Sequence, residues 1–118
     1  MSYIQRLAVP VVTAANGSTT AYSAVVSGNL SQIRYVKDTF DNGVGFTITN
    51  ETTGETLWTE ASVNASATRA PRQPAHSTVG AALGATIVDK VALANDRVKI
   101  VIASGGDAKS GTFHIVLE

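Results

Sequence analysis

The sequence lacks cysteine and is poor in charge, in aromatic residues and in long apolar runs. Without cysteine, disulfide bonds and thiolate metal sites are excluded, and cysteine usage does not indicate whether the compartment is oxidising or reducing. Charged residues make up 15% of the 118 residues, against a usual value of about 25%. A surface with so little charge can be covered by a protein partner at little desolvation cost.

The charge balance and the absence of long apolar runs also bear on the kind of partner. The formal net charge is zero, so the sequence predicts no electrostatic footprint for nucleic acid. No apolar run approaches the roughly 20 residues that a membrane-spanning helix needs. The N-terminal residues 1–6 lack the basic region and apolar run of a signal peptide, so we expect the product to stay in the cytoplasm where it is made.

Short apolar–polar alternations separated by turn residues are the main pattern of the sequence. Residues 86–93 fit either a strand or one short helical turn. Together the alternations predict a single all-β domain over residues 1–118, an antiparallel β-sandwich or jelly roll of seven to eight short strands. Apart from the ambiguous residues 86–93, the predicted strands are residues 3–12, 21–27, 30–37, 44–49, 55–60, 97–103 and 113–117.

Several positions predict how these strands are arranged. Pro10 cannot donate to a ladder on both sides, so the first strand is expected at a sheet edge or a strand end. Gly28 and Asn29 are expected to form a turn, and the last two strands are expected to pair as a hairpin because both alternate cleanly.

The strand pattern is interrupted at residues 62–85. This interruption predicts a long ordered loop that lies against something else. The segment shows neither strand alternation nor a helical stripe, and a structureless segment of this length is either functional or disordered. Pro71 and Pro74 remove two backbone donors, so residues 70–74 are expected to be extended and unpaired.

No motif of the sequence predicts catalysis, a metal site or a cofactor. His76 and His114 are the only histidines, and no family signature surrounds any serine. Asp38, Asp41 and Asn42 lack the glycine and the terminal glutamate of a calcium loop, and are the residue types expected in a turn. The sequence therefore predicts a protein that is not an enzyme and has no cofactor.

Two sets of side chains remain as candidates for binding. Trp58, Tyr22, Tyr35 and Tyr3 could stack on sugar rings, although a chain with 6% aromatic residues needs most of them in its core. The second set is the pair of arginines that brackets Pro71. Arg69 and Arg72 fit either a solvated loop or internal clamp on a carboxylate, or an interface arm whose guanidinium groups bind a partner.

Several segments resemble small structural proteins of tailed bacteriophages. The resemblance rests on the opening Met-Ser-Tyr-Ile-Gln-Arg-Leu, on Trp58-Thr59-Glu60 followed by Arg69-Ala-Pro-Arg-Gln-Pro-Ala-His76, and on the ending Asp96-Arg-Val-Lys-Ile-Val-Ile with Gly105-Gly106 and Lys109-Ser-Gly-Thr-Phe113. It implies a capsid decoration or cement protein that binds the outer shell of the virion and bridges capsomers. Its partner would be the major capsid protein, and no catalytic residues come with the family.

We therefore expect a homodimer or homotrimer on the capsid surface, assembled in the bacterial host cytoplasm. A tail or head–tail connector component, or a carbohydrate-binding β-sandwich module, are the alternatives. The residues expected to contact the partner are Tyr3, Gln5, Arg6, Arg69, Arg72, Gln73 and His76.

Overall fold

A computed structural model describes residues 4–118 as two antiparallel β-sheets that share one hydrophobic core. The prediction of an all-β sandwich is confirmed. In chain order, the described strands are β1 (Gln5–Val12), β2 (Thr19–Tyr22), β3 (Val26–Lys37), β4 (Val44–Asn50), β5 (Thr56–Val63), β6 (Ala67–Arg69), β7 (Arg72–Pro74), β8 (Val88–Asp96), β9 (Val98–Ala103) and β10 (Ser110–Leu117).

The larger sheet has six strands in the order β1-β10-β3-β8-β7, and β6 also pairs with β3. The long strand β3 makes this possible, because its N-terminal half pairs with β8 and its C-terminal half pairs with β6. The smaller sheet has the order β2-β9-β4-β5. As predicted for a strand containing Pro10, β1 lies at an edge of its sheet.

The core is built from the inward-facing half of each alternating strand. Ile33 and Tyr35 of β3, and Phe113 of β10, are fully buried from the larger sheet. Phe46 packs edge-on against Trp58 at 4.7 Å within the smaller sheet, and it also meets Phe113 at 5.1 Å across the two sheets. The period-two alternation of the sequence therefore reports the inner face of each strand correctly.

The predicted loop at residues 62–85 is partly wrong. The segment contains the short strands β6 and β7, which raise the strand count from the predicted seven or eight to ten. Residues 72–74 are extended as expected, but they pair with residues 88–90 of β8, so the expectation that they are unpaired is wrong. Strands of three residues are too short to show alternation in the sequence.

The predicted final hairpin does not form. β9 pairs with β2 and β4 in the smaller sheet, whereas β10 pairs with β1 and β3 in the larger one. Alternation shows that a strand has a buried face, but it carries no information about the strand with which it pairs.

The predicted turn at Gly28 and Asn29 is also wrong. Both residues lie inside β3, where a register shift accommodates the positive φ of 150° at Gly28. Of the ambiguous residues 86–93, residues 88–93 form the first part of strand β8.

The chain crosses from β8 to β9 at a buried carboxylate. Asp96 is 5% exposed and accepts hydrogen bonds from the Thr52 hydroxyl at 2.9 Å and from the Arg97 amide at 2.8 Å. Burial raises the pKa of Asp96, but these hydrogen bonds outweigh burial and hold its pKa below the ordinary value. The Arg97 side chain pairs with Glu51, and its guanidinium lies 4.0 Å from the ring centre of Tyr22. This crossover is a structural junction held by hydrogen bonds and an ion pair.

Candidate interaction surface

Three exposed arginines share the outer surface of the larger sheet. Arg6 and Arg34 alternate with inward-facing neighbours on β1 and β3. Arg72 is paired with Lys90, which precedes the buried Val91 and so points outward. We call this surface, carrying Arg6, Arg34 and Arg72, the arginine face. It spans β1-β10-β3-β8-β7, or four strand spacings, about 19 Å.

None of these three guanidinium groups is paired with a carboxylate among the described residues, whose ion pairs are Arg69–Glu60, Lys90–Glu118 and Arg97–Glu51. Arg34 donates to the Thr68 hydroxyl at 2.9 Å, and Arg72 donates to the carbonyl oxygens of Ser31 at 3.0 Å and Pro71 at 2.8 Å. These neutral acceptors hold the side chains in place without neutralising them. Arg34 and Arg72 therefore present positioned positive charge to solvent, and Arg6 adds an exposed positive charge to the same face.

Arg69 has a different role from Arg72. Arg69 is paired with the inward-facing Ile33, so its side chain points away from the arginine face. Its Nε and one terminal nitrogen donate to the two carboxylate oxygens of Glu60, each at 3.2 Å. Glu60 also accepts from the Trp58 indole at 3.1 Å, and the Arg69 guanidinium lies 5.5 Å from the Trp58 ring centre. This is the internal clamp on a carboxylate, and it joins β6 of the larger sheet to β5 of the smaller one.

The other predicted contact residues are dispersed. Gln5 is exposed at the start of β1, in the opposite alternation to Arg6, and Tyr3 lies outside the described residues. Gln73 and His76 line an open cleft of about 500 Å³ together with Glu55 and Asp89. Among the described residues of the predicted set, Arg6 and Arg72 are the two that lie on the arginine face. Their partner role stays a prediction.

Arg34 is the member of this face that the sequence reasoning did not single out. The signal was present, because Arg34 alternates with Ile33 and Tyr35 and so faces outward. His114 lies beside it on β10 and faces outward as predicted, although its side chain is partly buried. What the sequence alone does not supply is the order β1-β10-β3, which brings Arg6 and Arg34 onto one surface.

Residues 75–88 form a second surface feature, which we call the arm. They extend the β7–β8 hairpin beyond the sandwich and contain no Asp, Glu, Lys or Arg. The arm exposes four large apolar side chains, with Val79 at its tip 88% exposed and Leu83, Ile87 and Val88 about half exposed. The expectation that residues 62–85 lie against something else stays a prediction for their second half, whose apolar side chains are exposed in the single chain.

The aromatic residues give a sugar ring little to stack on. Trp58 is 7% exposed and Tyr35 is fully buried, so both belong to the core. Tyr22 is exposed, but its ring is covered by the Arg97 guanidinium. In the described part of the chain, no exposed pair of coplanar aromatic rings supports the carbohydrate-binding alternative.

Residues 4–118 hold neither a cluster of metal-ligating side chains nor a membrane-spanning helix. No three His, Asp or Glu side chains in this range stand close enough together to hold a metal ion. The same range holds no helix with the length and hydrophobicity needed to cross a membrane.

Comparisons with known proteins do not show a family. No protein-family model and no curated protein matches the sequence. Among solved structures, the chain is similar to a chain from the structure of infectious bursal disease virus, Gt strain, at 15% identity and a TM-score of 0.32. The match covers 98% of this chain and 32% of that chain, so this protein spans about a third of the length of its neighbour. A similarity at this TM-score carries no argument about function.

Proposed function

We propose that this protein is a non-enzymatic structural component of a virion, and more narrowly a decoration or cement protein of a tailed-bacteriophage head. It binds the outer surface of the shell on particles assembled in the bacterial cytoplasm, with the major capsid protein as its partner. The observation that carries the proposal is the arginine face, where Arg6, Arg34 and Arg72 stand on one rigid sheet without a carboxylate partner among the described residues.

The chemistry of the face fits a partner that presents carboxylates or backbone carbonyls. A guanidinium group can donate two parallel hydrogen bonds to a carboxylate, which fixes orientation as well as adding energy. Because the three arginines are carried on hydrogen-bonded strands, little backbone entropy is lost when they bind. A face about 19 Å wide can contact two neighbouring shell subunits at once.

The major capsid protein is proposed as the partner because the sequence resembles small phage structural proteins. A decoration protein needs contacts that are individually weak but repeated over the shell by symmetry. A small, charge-poor sandwich with one basic face suits that task, since the basic face orients the molecule and the rest of its surface has little charge to desolvate.

The test is binding of the purified protein to shells that lack it, followed by sedimentation. Replacing Arg6 and Arg72 with alanine should weaken binding at least about tenfold for each side chain, as expected for interface arginines. Lys99→Ala is the matched control, because Lys99 alternates with Val98 and Ile100 and so faces outward on the opposite sheet. Equal binding by the double variant and the control would remove the arginine face from the proposal.

A second arm of the same experiment separates the shell from nucleic acid, the other polyanion that a basic face can bind. Binding to short single-stranded DNA is measured at the same salt concentrations. Tight, steeply salt-dependent DNA binding without shell binding would contradict the proposal.

A further inference from the structure

The arm is already folded in the isolated chain. The Ala75 amide donates to the Ile87 carbonyl at 3.0 Å, and the Leu83 amide donates to the Ala75 carbonyl at 3.1 Å. At the tip, the Gly80 amide donates to the Ser77 carbonyl at 3.0 Å and closes a tight turn around Val79. From the end of β7, residues 75–79 reach about 16 Å if extended. A preformed arm pays little ordering entropy on binding, and its exposed apolar side chains favour a partner that covers them.

The same molecule carries a depression that suits such side chains. It has a volume of about 330 Å³ and lies on the smaller sheet, with a lining drawn from β4, β5 and β9. Its cause is local sequence, because Gly45 has no side chain, Ala61 and Ala103 have small ones, and β5 bulges opposite Gly45. The lining residues are Gly45, Phe46, Thr47, Thr59, Glu60, Ala61, Val101 and Ala103.

The arm and the depression match in charge. The arm contains no Asp, Glu, Lys or Arg, and among the described residues Glu60 is the only one of these types that lines the depression. The clamp from Arg69 pairs this carboxylate, so neither surface brings an uncompensated charge to the other. No arm residue lines the depression of its own chain.

We propose that two copies of this chain form a symmetric dimer by exchanging arms, with Val79 and its apolar neighbours of each arm seated in the depression of the other copy. In a reciprocal dimer each copy can supply up to 22 residues, the fourteen of its arm and the eight of its depression. That number lies within the roughly 20–30 residues a side of a stable interface. A head-to-tail ring would divide the same residues between two interfaces and leave each well below that size, so the reciprocal dimer is favoured.

The inference rests on the proposed function in treating the protein as one that acts by assembly, and it is tested without shells. Purified protein is studied by sedimentation equilibrium, with Val79→Asp as the test variant and Val25→Asp as its control. Val25 is also an exposed valine, at 59%, and it belongs to neither the arm nor the depression.

We expect a dimer whose dissociation constant rises at least about tenfold in Val79→Asp and stays unchanged in Val25→Asp. A monomer at all accessible concentrations, or equal weakening by both variants, overturns the inference. A monomer that still binds shells leaves the proposed function standing. A dimer that does not bind shells contradicts the proposed function instead.

Cross-linking tests the geometry of the exchange, because the chain has no cysteine of its own. Val79→Cys protein is mixed with Ala103→Cys protein under mild oxidation, and the yield of mixed disulfide is compared with that from Val79→Cys and Val25→Cys. A clear excess for the first pair supports arm exchange. Equal yields contradict it even if the protein is dimeric.

Discussion

The two halves of the segment at residues 62–85 behave differently, although the sequence presents them as one continuous interruption of the strand pattern. In the first half, Arg69 reaches Glu60 and Trp58 and joins the two sheets. In the second half, the arm leaves the sandwich and exposes Val79 at its tip. The two halves differ in the interactions that their side chains can make. The first half carries polar and charged groups that form hydrogen bonds with the sandwich, whereas the second half is rich in small residues and makes few such contacts with its own chain.

We infer that the clamp stabilises the fold and that the arm serves association. Changes near the clamp should lower the stability of the fold, and changes in the arm should leave stability alone while altering association. Variants of Trp58, Arg69 and Val79 test this claim, and the expected effect on stability falls in that order.

Trp58→Ala should have the largest effect. Trp58 is 7% exposed and packs edge-on against Phe46, so the substitution opens a cavity and removes the donor to Glu60. A loss of about 3–5 kcal/mol in the free energy of unfolding is expected, measured by urea denaturation. A loss below about 1 kcal/mol would show that Trp58 is not part of the core.

Arg69→Ala should have an intermediate effect, because its pair with Glu60 is bidentate but partly exposed. We expect a loss of roughly 1–2 kcal/mol, measured in the same way. The matched control is Arg72→Ala, which should change stability by less than about 0.5 kcal/mol because Arg72 donates only to exposed carbonyl oxygens. Equal losses in the free energy of unfolding for the two variants would contradict the distinction between the clamp and the arginine face.

Acid should destabilise the crossover between β8 and β9. The pKa of Asp96 in the folded protein lies below the ordinary value of 3.8. Its contribution to stability is therefore fully present above the ordinary pKa and is lost as pH falls through the lower folded-state pKa. Between about pH 5 and pH 2, the melting temperature of the wild type should fall more steeply than that of Asp96→Asn, which keeps an acceptor oxygen but does not titrate in this range. Parallel pH profiles would contradict this assignment.

Val79→Asp should have the smallest effect on stability. At 88% exposure the side chain has almost no contacts to lose, so the free energy of unfolding of the monomer should change by less than about 0.5 kcal/mol. It is measured by urea denaturation at concentrations below dimer formation. A loss comparable to that of Arg69→Ala would mean that the arm packs on its own chain.

Apolar–polar alternation in the sequence predicts which face of a strand is buried, but not which strand it pairs with. The inner faces of β3, β4, β9 and β10 follow directly from their apolar positions, and Pro10 places β1 at an edge. Pairing partners do not follow, which is why the predicted final hairpin is wrong.

The candidate surface was predictable only in part, for the same reason. Arg6 and Arg72 were singled out by their setting, but their common face depends on the strand order. The partner of Arg69 is Glu60, nine residues earlier on a strand of the other sheet, and this contact depends on a sheet assignment that local sequence does not contain. The arm could be predicted as unusual, but not as projecting, because its composition fits either a packed or an exposed segment.

The most direct test of the central claim is the number of copies of this protein in purified virions, measured by quantitative mass spectrometry against the major capsid protein. A decoration protein that follows the shell lattice should be present at a ratio of about one-third to one copy per capsid subunit. A few copies to a few dozen per particle would move the protein to the tail or the connector. Its absence from the particles would contradict the virion role altogether.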